Sequence, residues 1–107
     1  MAEGDDILRI TVNFPRLDAA TAPAFRGEIE ENLQEAPRRV LVDLSLVSFV
    51  DSTGLGVLVA LVKKMSADGK IAVVGANAAV RRLFQITKLD TLFLLCDSED
   101  AAHAALA

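Results

Sequence analysis

The chain has 107 residues, enough for one domain with a real core and too few for two. Hydrophobic residues make up 52%, which excludes wholesale disorder, and 11 Lys and Arg against 15 Asp and Glu leave a net charge of -4, a poor match for nucleic acid or anionic lipid. There is no Trp and no Tyr to stack bases, so the five Phe read as core.

The opening Met1-Ala2-Glu3-Gly4-Asp5-Asp6 is acidic and has no apolar signal region. Ile7 to Phe14 is rich in β-branched residues and predicts a strand, closed by Pro15. A turn from Asp18 follows, with Thr21 as the expected N-cap of a helix that has Pro23 in its first turn. Phe25, Ile29 and Leu33 recur every fourth residue and share the buried face of that helix, which Pro37 ends. Val40 to Leu46 is apolar apart from Asp43, as expected of a central strand covered on both faces. Asp51-Ser52-Thr53-Gly54 then opens a helix running to about Ala67, with an apolar stripe through Leu55, Leu58, Leu61 and Val62.

A third strand covers Ile71 to Val74, and Asn77 caps a short helix with Val80, Leu83 and Phe84 inward and Arg81 and Arg82 outward. Thr91 to Cys96 gives a fourth strand, and Asp97-Ser98 caps a final helix rich in alanine. The longest apolar run, Leu55 to Val62, is far short of a membrane span, so a cytoplasmic protein is expected. Regular alternation of strand and helix predicts an α/β domain spanning 1–107, with a mostly parallel four-stranded sheet and about four helices. Ligand and partner sites in such sheets gather at the carboxyl ends of the strands, so the loops holding Asp18, Ser52 and Asn77 should share one rim.

Enzyme chemistry finds little support. Gly54-Leu55-Gly56 is followed by Val59 where a dinucleotide loop needs its third glycine, and no Gly-Lys-[Ser/Thr] loop exists. The single histidine, His103, lies in the alanine-rich tail, far in sequence from any serine nucleophile. His, Cys and carboxylates nowhere take metal-ligand spacing, and no cofactor is expected. A phospho-aspartate receiver needs paired acids after its first strand, where Phe14-Pro15 stands. Cys96, alone in an apolar run, reads as a buried structural thiol. Asp43 is expected to bond to neighbouring loop N–H groups.

Three blocks of sequence resemble the STAS domain, the family of bacterial anti-sigma factor antagonists. They are Leu17-Asp18-Ala19-Ala20-Thr21-Ala22-Pro23, then Val42 to Ser45 with Phe49-Val50-Asp51-Ser52-Thr53-Gly54-Leu55-Gly56, and Val80 to Asp90. The resemblance implies a binding module and not a catalyst. It implies that the unphosphorylated form binds an anti-sigma factor that is a serine kinase, and frees the sigma factor. Phosphorylation would fall on Ser52 and cause release, and a serine phosphatase of the metal-dependent type would reset it. From the residues alone Ser52 reads as an N-cap; with the resemblance it reads as the phosphoacceptor.

The implied partner surface comprises Asp18, Asp51, Ser52, Thr53, Gly54, Leu55 and Gly56, with Arg81 offering a salt bridge to an acidic patch. Asp18 and Asp51 also read as turn residues, Thr53 as a loop hydrogen-bonder or a secondary phosphosite. Gly54 and Gly56 would admit a partner's backbone, let the helix pack, or both. The chain departs from the family pattern at Pro15, where a glycine is usual. Only six residues precede Ile7, so the family's extra opening strand is expected to be missing or vestigial. The free protein is expected to be a monomer. Two other uses of such a domain are a subunit of a larger assembly, such as a lipid transporter, and a nucleotide-binding regulatory domain.

Overall fold

The computed structural model describes residues 7–33 and 36–107. The N-terminal segment, and with it the expectation about an opening strand, lies outside the described residues. Four strands, β1 (Leu8–Thr11), β3 (Arg39–Asp43), β5 (Lys70–Val74) and β6 (Leu94–Cys96), form a parallel sheet in the order β1-β3-β5-β6. Strand order therefore advances in one direction along the sheet. Right-handed crossovers then put every intervening helix on the same face. Those helices are α1 (Ala22–Asn32), α2 (Ser52–Lys63) and α3 (Ala78–Ile86). The last helix, α4 (Glu99–Leu106), follows the final strand and covers the opposite face.

Side-chain alternation divides the core accordingly. Val40, Val42, Ile71 and Val73 face the larger core with Phe25, Ile29, Leu58, Leu61 and Phe84. Leu41, Ala72 and Val74 face α4, packing with Cys96, Ala102 and Leu106. This double covering is why β3 and β5 are apolar on both faces. Burying a side chain such as Leu58, which is fully enclosed, contributes about 1.5–3 kcal/mol. Phe84 and Phe93 meet edge to face at 5.3 Å and fix α3 against the approach to β6.

Several expected boundaries move, each for a local reason. The expected first strand ends at Thr11, short of Phe14, and a two-residue strand not expected from the sequence, β2 (Arg16–Leu17), follows Pro15, which has no N–H to donate. The strand expected to reach Leu46 ends at Asp43, whose carboxylate accepts the Ser45 N–H at 2.9 Å and turns the chain. Phe49–Val50 forms a further short strand, β4, parallel to β2. Helix α2 stops at Lys63 and not near Ala67. Thr91 belongs to a 3-10 turn (Leu89–Thr91) that follows Lys88 in the left-handed region, at φ 62. Gly75, after β5, has φ +78, and a Cβ there would meet the Ser45 backbone N at 2.7 Å.

Candidate functional site

The two-residue strands β2 and β4 build a small platform beside the start of α2. Leu17 and Val50 point inward and are buried, while Arg16 and Phe49 pair across the strands on the outer face. The ladder continues at both ends: the Ser48 N–H donates to the Pro15 carbonyl at 2.7 Å, and the Asp51 N–H to the Leu17 carbonyl at 3.1 Å. Asp18 and Asp51 are thus the next residues on neighbouring strands. The amide of Asn77 donates to the Ser48 carbonyl at 3.2 Å and joins the loop after β5 to the same rim. The three loops expected on one rim are tied together by these bonds.

Each carboxylate organises its own loop. Asp18 Oδ1 accepts the N–H groups of Ala20 and Thr21 at 3.1 and 3.3 Å, and its backbone carbonyl accepts the Ala22 N–H at 2.8 Å. Desolvation raises the Asp18 pKa, but these bonds and the Arg16 guanidinium outweigh it and hold the carboxyl below its ordinary value. Thr21 does not cap α1 with its side chain, contrary to expectation; its hydroxyl donates to the Arg16 carbonyl at 2.7 Å and accepts the Asp18 N–H. Asp18 already anchors that turn.

Asp51, and not Ser52, is the N-cap of α2. Its Oδ1 accepts the Gly54 N–H at 2.9 Å, and its carbonyl accepts the Leu55 N–H at 2.9 Å. Ser52 is therefore the first residue of the helix, with its side chain exposed. Thr53 and Gly56 are exposed beside it, and a Cβ at Gly56 would stand in open space. A phosphate at Ser52 would meet the positive end of the helix dipole and the N–H groups of the first turn.

Two expected contact residues lie beneath this surface. Leu55 is only 8% exposed and packs into the larger core. Gly54 is buried because α2 rests on β2: a Cβ there would be 2.2 Å from the Leu17 carbonyl oxygen. Both shape the surface from below. The Arg81 guanidinium pairs within the chain, reaching Asp97, just past β6, at 3.4 Å.

Arg16 and Phe49 are the residues that sequence reading missed. The guanidinium lies 4.3 Å from the Phe49 ring centroid, with Arg16 Nε 3.3 Å from Asp18 Oδ2. Phe49 is 40% exposed, and Leu46, in the turn before β4, is 59% exposed. The signal lay in the cross-strand register of two strands too short to show periodicity.

Asp43 acts structurally, as expected. Desolvation raises its pKa, but the Ser45 bonds and the Arg9 charge win and hold the carboxyl below its ordinary value. Arg9 pairs with Asp43 at 2.8 Å and also with Glu99, linking the sheet to the start of α4. Burial pushes the Cys96 thiol up, aided by the charge of Asp97, so it is a poor nucleophile. Among the described residues no helix is long and apolar enough to cross a membrane.

The chain is similar in sequence and in fold to anti-sigma factor antagonists. An anti-sigma-B factor antagonist of Staphylococcus aureus (strain NCTC 8325) is 35% identical over 77 residues, 71% of each chain. The crystal structure of an anti-sigma factor antagonist from Mycobacterium paratuberculosis superposes with a TM-score of 0.84 at 31% identity, covering 98% of this chain and 89% of that one. A putative anti-sigma factor antagonist from Thermotoga maritima gives a TM-score of 0.81 at 27% identity, covering 95% and 88%. The family model for the STAS domain matches residues 1–102, and the chain belongs to that family.

Proposed function

We propose that this protein is an anti-sigma factor antagonist gated by phosphorylation of Ser52. In its unphosphorylated form it binds an anti-sigma factor that is a serine kinase, and so frees a sigma factor. The observation that carries the reading is the division of labour at the start of α2. Asp51 does the capping, which leaves the Ser52 hydroxyl exposed at the first helical position. Its similarity to anti-sigma factor antagonists of Staphylococcus aureus and Mycobacterium paratuberculosis supports the role.

The partner surface is formed by the exposed Ser52, Thr53 and Gly56 with the carboxylates of Asp18 and Asp51. The kinase moves the γ-phosphoryl group of ATP onto Ser52 Oγ; ADP leaves, and the hydroxyl proton passes to a base of the kinase. The phosphoserine carries about -1.5 to -2 charge at neutral pH. A partner packed here must then desolvate that charge beside Asp51, which is repulsive enough to drive release. The helix start accommodates the same charge, so the domain need not unfold. A metal-dependent serine phosphatase returns the hydroxyl by hydrolysis. The protein acts in the cytoplasm, where the kinase finds ATP, and is a monomer when free.

Incubation with candidate anti-sigma kinases and ATP, followed by mass-spectrometric mapping, tests this directly. Phosphate on Ser52 that disappears in Ser52→Ala is the expected result. Stable complexes with no phosphate transfer would favour a docking subunit of a larger assembly instead.

A further inference from the structure

We propose that Arg16 is the internal acceptor of the phosphate on Ser52, so that modification rearranges the docking face as well as charging it. This rests on the reading of Ser52 as the phosphoacceptor. In the free protein the Arg16 guanidinium lies over Phe49 and bonds to Asp18. Once Ser52 Oγ carries the phosphoryl group, the guanidinium leaves both and pairs with the phosphate oxygens. Phe49 is then uncovered and Asp18 loses its cation.

Register brings the two side chains within reach. Arg16 is opposite Phe49, three residues before Ser52. The ladder runs on to Asp51, whose backbone is extended and leads into Ser52, so strands about 4.8 Å apart rising about 3.3 Å per residue put the Arg16 and Ser52 Cα atoms on the order of 11 Å apart. An arginine and a phosphoserine extended toward each other close that span. The present holds on Arg16 are weak: its side chain is 59% exposed, its bond to Asp18 is one contact at 3.3 Å, and the ring contact lies at the surface. A phosphate dianion offers the guanidinium paired, charge-assisted bonds.

Several other cations are engaged or distant. Arg9 pairs with Asp43 and Glu99, Arg81 with Asp97, and Arg38 with Asp68, while Lys63 stands at the far end of α2. Asp51 adds a further negative group at the helix start, so a phosphate there calls for a nearby cation. The partner consequently meets both a new charge and a changed Arg16–Phe49 pair.

The test uses the full chain with phosphoserine installed at position 52 by genetic encoding, without any kinase. Phosphorus NMR follows the second ionisation of the phosphate against pH in the wild-type background, Arg16→Gln and Arg16→Lys. Its midpoint is expected below about 6 with Arg16 present and higher by about half a unit in Arg16→Gln, with Arg16→Lys between. The Arg16 Nε–H resonance should also shift between unmodified and phosphorylated wild-type protein, a readout that needs no variant. Identical titrations in folded wild-type and Arg16→Gln protein, or an unmoved Nε–H resonance, would overturn the proposal. Because no kinase is involved, a failure here is separable from failure of a kinase to modify Ser52.

Discussion

Gly54 rests directly on Leu17: a Cβ at position 54 would lie 2.2 Å from the Leu17 carbonyl oxygen and 2.8 Å from both its carbonyl carbon and its Cγ. That carbonyl also accepts the Asp51 N–H at 3.1 Å, so the same atoms set the position of β2, β4 and the first turn of α2. The serine is presented by this close approach. Gly54→Ala is expected to destabilise the protein by about 1–3 kcal/mol, as overpacking against an unyielding group does. Gly56→Ala, into open space on the exposed side of the same helix, should be neutral or stabilising by up to about 1 kcal/mol. Denaturant unfolding of both variants checks the contrast; equal losses would contradict the packing described.

Capping by Asp51 makes a second prediction. Asp51→Ala removes the acceptor for the Gly54 N–H and should cost about 0.5–2 kcal/mol. Asp51→Asn keeps an acceptor oxygen and should stay close to wild type in stability. The asparagine variant therefore separates capping from charge. If the Asp51 carboxylate also contributes to repelling the partner after phosphorylation, Asp51→Asn should narrow the affinity difference between modified and unmodified protein, read by calorimetry.

How much of this was legible beforehand follows from length scales. The apolar runs Val40–Val42 and Ile71–Val74, and the four-residue spacing of Phe25, Ile29 and Leu33, carry enough periodicity to specify strands and helices, and the parallel sheet follows from their alternation. Asp51-Ser52-Thr53-Gly54 reads as a helix start, but which of two capping residues takes the cap depends on one hydrogen bond, to Gly54 N–H. Leu55 heads the apolar stripe that predicts its burial, whereas Gly54 is buried because the first turn of α2 leans on Leu17, a tertiary contact that no local pattern encodes. The Arg16–Phe49 pair depends on register between strands of two residues each. Asp18 anchors the turn before α1, and Thr21 at the cap position makes no side-chain capping bond, because the Asp18 carboxylate reaches two N–H groups at once.

Acid should weaken the fold through Asp43. Its folded pKa is depressed, with desolvation opposing and the Ser45 bonds and the Arg9 charge prevailing. The stability it contributes is therefore complete above the unfolded carboxylate value of about 3.9, and is lost as pH falls through the lower folded value. Asp43→Asn should cost on the order of 1 kcal/mol at neutral pH and flatten the decline below about pH 4. Thermal melts from pH 7 to pH 2.5 measure this; an unchanged acid slope in Asp43→Asn would assign the acid sensitivity to other carboxylates.

The platform itself can be probed at Phe49. Phe49→Ala leaves Leu17 and Val50 buried, so stability should fall only slightly, by less than about 1 kcal/mol. If the exposed Phe49 ring belongs to the docking face, the same variant should weaken partner binding at least tenfold, as loss of an aromatic contact residue does. Surface plasmon resonance with the purified anti-sigma factor reads both association and dissociation.

The central claim is that charge on one exposed hydroxyl decides whether a partner stays. The direct measurement is the dissociation constant for the anti-sigma kinase of this protein with and without phosphate on Ser52, at one salt concentration. Like-charge contact in a desolvated interface costs several kcal/mol, so the phosphorylated form should bind at least about a hundredfold more weakly. Equal affinities for the two forms, with the phosphate verified in place, would contradict the account.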